Sequence, residues 1–258
     1  MKDLFYGFIG GLTFESTLPV KGGEASFEAF IDRLYLYPVL GAFLGGLIGI
    51  VGVGLSYLPG FVGASLTILV YYSICGIIHT DGLTDLADGL AAGGSPEERT
   101  KAMKDEKTGA AGLVGIMVVN LLLFSVLVEL FATGEPLRIF FVILVAEVLS
   151  KETMLSLLFL GEGAHEGLGS TFMEKTGVRD FLIGTGFTGL ALAWLGEPLA
   201  FLAMGLVVLT VPLFIWFGNR VAGGTSGDVI GAGGEFVRPL ALIGLVLLPR
   251  LEPMLPFW

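Results

Sequence analysis

Asp81, Asp85 and Asp88 stand at i, i+4 and i+7 in Ile78 to Gly109, a polar stretch that interrupts an otherwise apolar chain. If this stretch is helical, the three carboxylates project from one face. Like charges on one stripe repel and destabilise the helix that carries them, more so at the mouth of a membrane segment, and a bound cation relieves the repulsion. Oxygen ligands alone select a hard ion, Mg²⁺ ahead of Mn²⁺ or Ca²⁺, and Mg²⁺ typically binds through a few carboxylates together with substrate phosphates. The chemistry indicated is therefore phosphoryl transfer. Gly93 and Gly94 supply a bend, and Ser95-Pro96-Glu97-Glu98 has the pattern of a capping box. This predicts a short helix from about Pro96 to Lys104 that returns Asp105 toward the stripe, making Asp81, Asp85, Asp88 and Asp105 the candidate metal ligands. The bland alternative is a solvated acidic loop.

Other residues could complete such a site. His79 has the chemistry of a general base or a phosphate donor, although a lone histidine at a helix end is as often a structural hydrogen bonder. A second polar island, Gly161 to Asp180, contains His165 and Glu166. A third, Ala222 to Pro239, carries Asp228 and Glu235 seven apart among glycines, whose backbone N–H groups can come close to an anion. Its two acids are candidates to complete a metal site or to accept a proton. Lys151 and Glu147, four apart, either pair with each other or leave Lys151 to reach a phosphate.

The elements that must position these groups are membrane helices. The 258 residues are 54% hydrophobic and 15% charged, with a mean hydropathy of +0.85, too little polar surface for a soluble globule of this size. Apolar runs near 38–58, 61–79, 109–132, 138–160, 180–195, 198–217 and 239–257 predict about seven transmembrane helices, the fifth short and interrupted by glycines. Residues 4–14 are too short to span and read as an interfacial or re-entrant segment rather than a signal peptide. The expected fold is an all-α, polytopic integral membrane helical bundle in the lipid bilayer, one domain over 1–258.

The long polar connections, 15–37, 80–108, 161–179 and 218–238, all fall on one side. Every lysine and arginine except Arg138, Arg250 and Lys151 lies there, which places those loops, and the candidate site, in the cytoplasm. The formal net charge of -10 argues against a nucleic-acid partner. The single cysteine, Cys75, lies in an apolar run and reads as a packing residue; no disulfide can form within one chain. Gly41, Gly45 and Gly49, at intervals of four, let a second helix approach closely, either within the subunit or across a homo-oligomer contact.

These motifs carry a resemblance. His79-Thr80-Asp81-Gly82-Leu83 with Asp85 and Asp88-Gly89, followed by Arg99 and Met103-Lys104-Asp105, closely resembles the cobalamin synthase family of adenosylcobinamide-GDP ribazoletransferases. Leu18-Pro19-Val20, Tyr37-Pro38-Val39-Leu40-Gly41, Glu166-Gly167-Leu168-Gly169 and Gly223 to Asp228 with Glu235 extend it along nearly the whole chain. The sequence departs from the pattern at Phe14-Glu15-Ser16-Thr17, where a basic residue often precedes the Leu-Pro, and at Lys151, where arginine is common. The resemblance implies a Mg²⁺-dependent membrane enzyme that joins adenosylcobinamide-GDP to α-ribazole or its 5′-phosphate and releases GMP. It further implies catalytic roles for His79, Asp228 and Glu235 and substrate contacts for Arg99, Lys104, Lys151 and Glu166. Two other readings use similar residues. A phospholipid-making CDP-alcohol phosphotransferase is expected to carry Ala-Arg after its first Asp-Gly, where this chain has Leu83-Thr84. A cation-coupled transporter would place its acids at the bilayer midplane, whereas these cluster at loop boundaries.

Overall fold

The computed structural model describes residues 2–105, 107–164, 166–194 and 200–251. Among them the chain is all-helical, its only non-helical pairing an isolated bridge between Gly163 and Thr225. The elements are α1 (Lys2–Glu15), α2 (Glu24–Ile31), α3 (Leu36–Leu55), α4 (Gly60–Cys75), α5 (Ile78–Ala91), α6 (Pro96–Met103), α7 (Ala110–Phe131), α8 (Pro136–Leu160), α9 (Leu168–Lys175), α10 (Val178–Trp194), α11 (Ala200–Ala222) and α12 (Gly227–Leu251).

Each of the seven expected spans corresponds to a helix, but their membrane character is uneven. Four described helical stretches, 36–55, 110–131, 201–222 and 227–247, are long and apolar enough to cross a bilayer, and a fifth arises only if the bent pair α4 and α5 counts as one. The count of seven is therefore not reached on length and composition. Helix α8 shows why such a reading misses helices. It forms the axis of the bundle, packed against α3, α10, α11 and α12, and Glu147, Lys151 and Glu152 are all buried in it. A helix ringed by other helices can carry charge because its neighbours, not lipid, solvate it. The last predicted span ends in residues 252–257, outside the described residues, as do His165 and the connection at 196–197.

The glycine stripe of α3 packs within the chain. A Cβ at Gly41 or Gly45 would lie under 3 Å from Glu147 or Leu144 of α8, so the glycines set how near the two backbones come. The third polar island, expected to be a loop, is mostly helix: α12 begins at Gly227 and carries Asp228, Glu235 and Arg238. Arg238, counted on the loop side from sequence, is instead buried in the bundle. The tight packing of α12 on α5 and α8 offsets the low helix propensity of its glycines.

The long connections gather at one end. Thr100 Oγ1 donates to the Val221 carbonyl (3.2 Å), Thr225 N–H to Glu162 (2.6 Å), and Lys175 Nζ meets Asp32 at 3.1 Å. The predicted short helix is α6, with Ser95 and Glu98 forming both halves of the capping box. Helices α4 and α5 meet at about 100° across a turn at Gly76 (φ 72°), so α5 runs across the loop end of the bundle instead of prolonging a span.

Candidate active site

The aspartate stripe lies on α5, which crosses the first turns of α7 and α12. At Gly82 a Cβ would lie 2.8 Å from the Asp228 backbone, so glycine is what lets α12 come close enough to set Asp228 beside Asp81 and Asp85. Partial burial, and after it the carboxylates of Asp81, Asp228 and Asp88, push Asp85 up to about 6. Among the described residues Asp81, Asp85 and Asp228 form no ion pair; Asp228 has only a 3.4 Å contact from Ser226 Oγ. Three cavities open onto Asp228. One of about 220 Å³ runs past His79, another of about 200 Å³ past Lys104, and a third of about 230 Å³ along Gly167 to Ser170.

The other expected ligands are placed differently. Asp88 caps α7: its two oxygens accept the N–H groups of Gly109 (2.7 Å) and Gly112 (2.8 Å), a favourable place for a carboxylate. Asp105 is exposed, accepts from Lys107 N–H at 3.0 Å, and is not one of the carboxylates that bear on Asp85. The stripe thus leaves Asp81 and Asp85 free and gains Asp228 from across the fold. Among the described residues no three His, Cys, Asp or Glu side chains close around an ion by themselves. The exposed oxygen donors suit a hard cation that takes its remaining ligands from water and a substrate phosphate.

Lys151 is held inside the bundle. It pairs with Glu15 of α1, whose Oε2 also lies 2.9 Å from His79 Nε2; Glu15 and Lys151 are fully buried and His79 partly so. Burial would raise the Glu15 carboxyl, but the charges of Lys151 and then His79 overcome this and hold it well below the usual carboxylate range. His79 Nε2 meets both Glu15 Oε2 (2.9 Å) and Lys151 Nζ (3.3 Å), while Nδ1 faces α12 at Gly231. Lys151 and Glu147 do not pair, because Glu147 is engaged by Arg238. That guanidinium also donates to Glu235 at 2.7 Å and lies 4.0 Å from the Tyr71 ring centre, while Tyr71 OH donates to Glu235 at 3.1 Å. Glu235, expected as a catalytic group in a glycine-rich loop, is thus a buried member of a structural network.

Among the expected substrate contacts, Arg99 donates to the Gly89 and Leu90 carbonyls (3.4 and 3.0 Å) and closes the C-terminal end of α5. Lys104 is exposed in the cavity it shares with Asp228, and Glu166 is exposed in the bend before α9. From sequence, Phe14-Glu15 stood only as a departure from the family pattern and Tyr37 only within a matching motif; no role was read for Glu15, or for Phe14, Tyr37 and Phe172, which line the His79 cavity. An acid closing an apolar helix, directly after a phenylalanine, was the available signal for Glu15.

The family model for cobalamin-5-phosphate synthase matches residues 7–246. The chain belongs to the cobalamin-5-phosphate synthase family. It is 35% identical to the adenosylcobinamide-GDP ribazoletransferase of Methanocella arvoryzae, over 96% of this chain and 98% of that one. Proteins of the same name from Pseudomonas paraeruginosa (32% identical, 96% of this chain and 100% of the relative) and Pyrococcus abyssi (33%, 90% and 94%) are similarly close. No solved structure matches the chain. For a member of this family, the placement of Asp228, onto which three cavities open, beside the Asp81 and Asp85 carboxylates of α5 is the feature that bears on chemistry.

Proposed function

We propose that the chain transfers the adenosylcobinamide-phosphate moiety of adenosylcobinamide-GDP to α-ribazole, or to its 5′-phosphate, at the cytoplasmic face of the cell membrane. The products are GMP and adenosylcobalamin or its 5′-phosphate. The observation that carries this reading is the set of carboxylates, Asp81, Asp85 and Asp228, none of which is ion-paired among the described residues. Family membership supplies the substrates, and the lysine and arginine bias of the loops supports the orientation.

A pyrophosphate and a carboxylate cluster cannot share a site without positive charge. Asp81 and Asp85 would hold Mg²⁺, which when bound offsets the charge that develops on the departing phosphate. Asp228 stands where all three cavities meet and takes the proton of the attacking ribose hydroxyl, the 3′-hydroxyl as the resemblance implies. That oxygen forms a bond to the phosphorus nearest the cobinamide, and the phosphoanhydride bond to GMP breaks, its electron pair leaving with GMP. Lys104 faces the leaving nucleotide from its cavity beside Asp228. Arg99 and Asp88 fix the two ends of the arrangement, one by closing α5 and the other by seating α7.

The experiment is GMP release by the purified protein in detergent, with adenosylcobinamide-GDP and α-ribazole supplied together or singly. Release that needs both substrates, with cobalamin formed in equal amount, is expected. Release without α-ribazole, or none with both, overturns the assignment.

A further inference from the structure

Of the three cavities that open onto Asp228, one differs in kind. Its walls include Phe14, Tyr37, Met154, Leu158 and Phe172, and the titratable groups His79 and Asp228 also line it. The rings of Phe14 and Phe172 lie 5.3 Å apart, and Phe172, Tyr37 and Leu158 are almost wholly buried. Six helices and the Glu15–Lys151–His79 cluster hold this shape. The other two cavities are lined by Lys104, Thr100 and Ser226, and by Gly167 to Ser170 with Thr225.

We propose that the ring-walled chamber holds the aromatic base of the acceptor nucleoside, with its ribose directed to Asp228. The inference rests on the ribazoletransferase reading and assigns one substrate part to one cavity. The reaction brings together a corrin macrocycle, a guanine nucleotide and a benzimidazole nucleoside. At about 220 Å³ the chamber falls below the roughly 300 Å³ at which pockets for drug-sized ligands begin, so the corrin does not enter it. Guanine carries N–H donors along its ring edge, and against Met154, Leu158 and Phe172 these would be buried without partners. A benzimidazole joined to ribose through nitrogen has no N–H left, and it presents a flat apolar ring of the right chemistry for ring and methionine walls. Seated there, the base leaves its sugar beside Asp228, while the polar guanine nucleotide has the Lys104 cavity open to it.

Leu168 offers the test, because it stands at the rim the chamber shares with the Gly167 to Ser170 cavity and is 58% exposed, so a change there leaves the packed core intact. Leu168→Trp fills the chamber from its rim. The expected result is a KM for α-ribazole raised about tenfold or more, the scale of a hydrophobic pocket's discrimination, with the KM for adenosylcobinamide-GDP within about twofold of the parent. A second measurement does not depend on turnover. In Leu168→Cys with Cys75→Ala, α-ribazole should slow maleimide labelling of the new thiol, and GMP at the same concentration should not. Protection by GMP but not α-ribazole, protection by neither, or a Leu168→Trp effect confined to adenosylcobinamide-GDP would overturn the assignment. If the parent protein itself failed to consume α-ribazole, the functional reading would be at fault and not the placement of the base.

Discussion

Glu15, Glu147 and Glu235, inside the bundle, each touch a cation of the same chain, whereas Asp81, Asp85 and Asp228, at its loop end, touch none among the described residues. The two regions are neighbours, since His79 is tied to Glu15 and stands two residues before Asp81. They differ in what completes them. In the core an unpaired charge has no water to turn to, and Lys151 and Arg238 supply the charge that Glu15, Glu147 and Glu235 need, in a network that ties helices together. At the loop end water substitutes for a partner, and like charges can be left together at modest cost to stability. A carboxylate with a partner in the chain is thereby marked as structural, and one placed among like charges as awaiting a ligand. By partners rather than by spacing, Glu235 and Lys151 fall with the paired groups of the core, and Asp228 falls with Asp81 and Asp85.

The comparison can be broken at either region. The largest effect is expected in the core. Arg238→Met keeps the bulk of the side chain but leaves Glu147 and Glu235 uncompensated, and should cost about 3–5 kcal/mol, read as a collapse of folded yield or of the melting temperature in detergent. An unchanged melting curve would mean that the network is not what holds α8 to α12. Next is Asp228→Asn, which should lower turnover by at least about a hundredfold as a lost proton acceptor, with the melting temperature unmoved. A matching drop in stability would transfer Asp228 to the structural class. Glu235→Gln sharpens the contrast: it should destabilise by about 1–3 kcal/mol, while the protein that remains folded turns over within a few-fold of the parent. The smallest effect is expected at Ser95→Ala, which removes half of a capping box worth about 1 kcal/mol and should speed hydrogen exchange in α6 with little change in GMP release.

Much of this was legible in the sequence where the signal is local. The positions of the apolar helices follow from apolar runs, α6 from its capping residues, a close helix approach on α3 (though not its partner α8) from glycines at intervals of four, and the stripe on α5 from its i, i+4, i+7 spacing. What was not legible depends on partners far away in the chain. Glu15 and Lys151 are 136 residues apart, and nothing local to either names the other. Asp88 has the same residue type and helix face as Asp81, yet the N-terminus of α7, which it meets only in the folded bundle, gives it a different task. The start of α12 was hidden because glycines signal a loop by propensity, whereas here they allow α5 and α8 to pack against a helix. Asp228 was singled out from sequence, but its place beside Asp85 depends on the Gly82 contact.

The central claim, that Asp81, Asp85 and Asp228 form a site completed by a cation and not a piece of scaffold, is tested most directly by titrating Mg²⁺ in the GMP-release assay for the parent and for Asp85→Asn, with melting curves recorded on the same samples. The account predicts no release in excess chelator and recovery on adding Mg²⁺. It also predicts a variant at least about a hundredfold slower at saturating Mg²⁺, with a melting temperature equal to or above that of the parent because one like charge has been removed. Full activity in chelator, or a variant that matches the parent at every Mg²⁺ concentration while melting earlier, would contradict it.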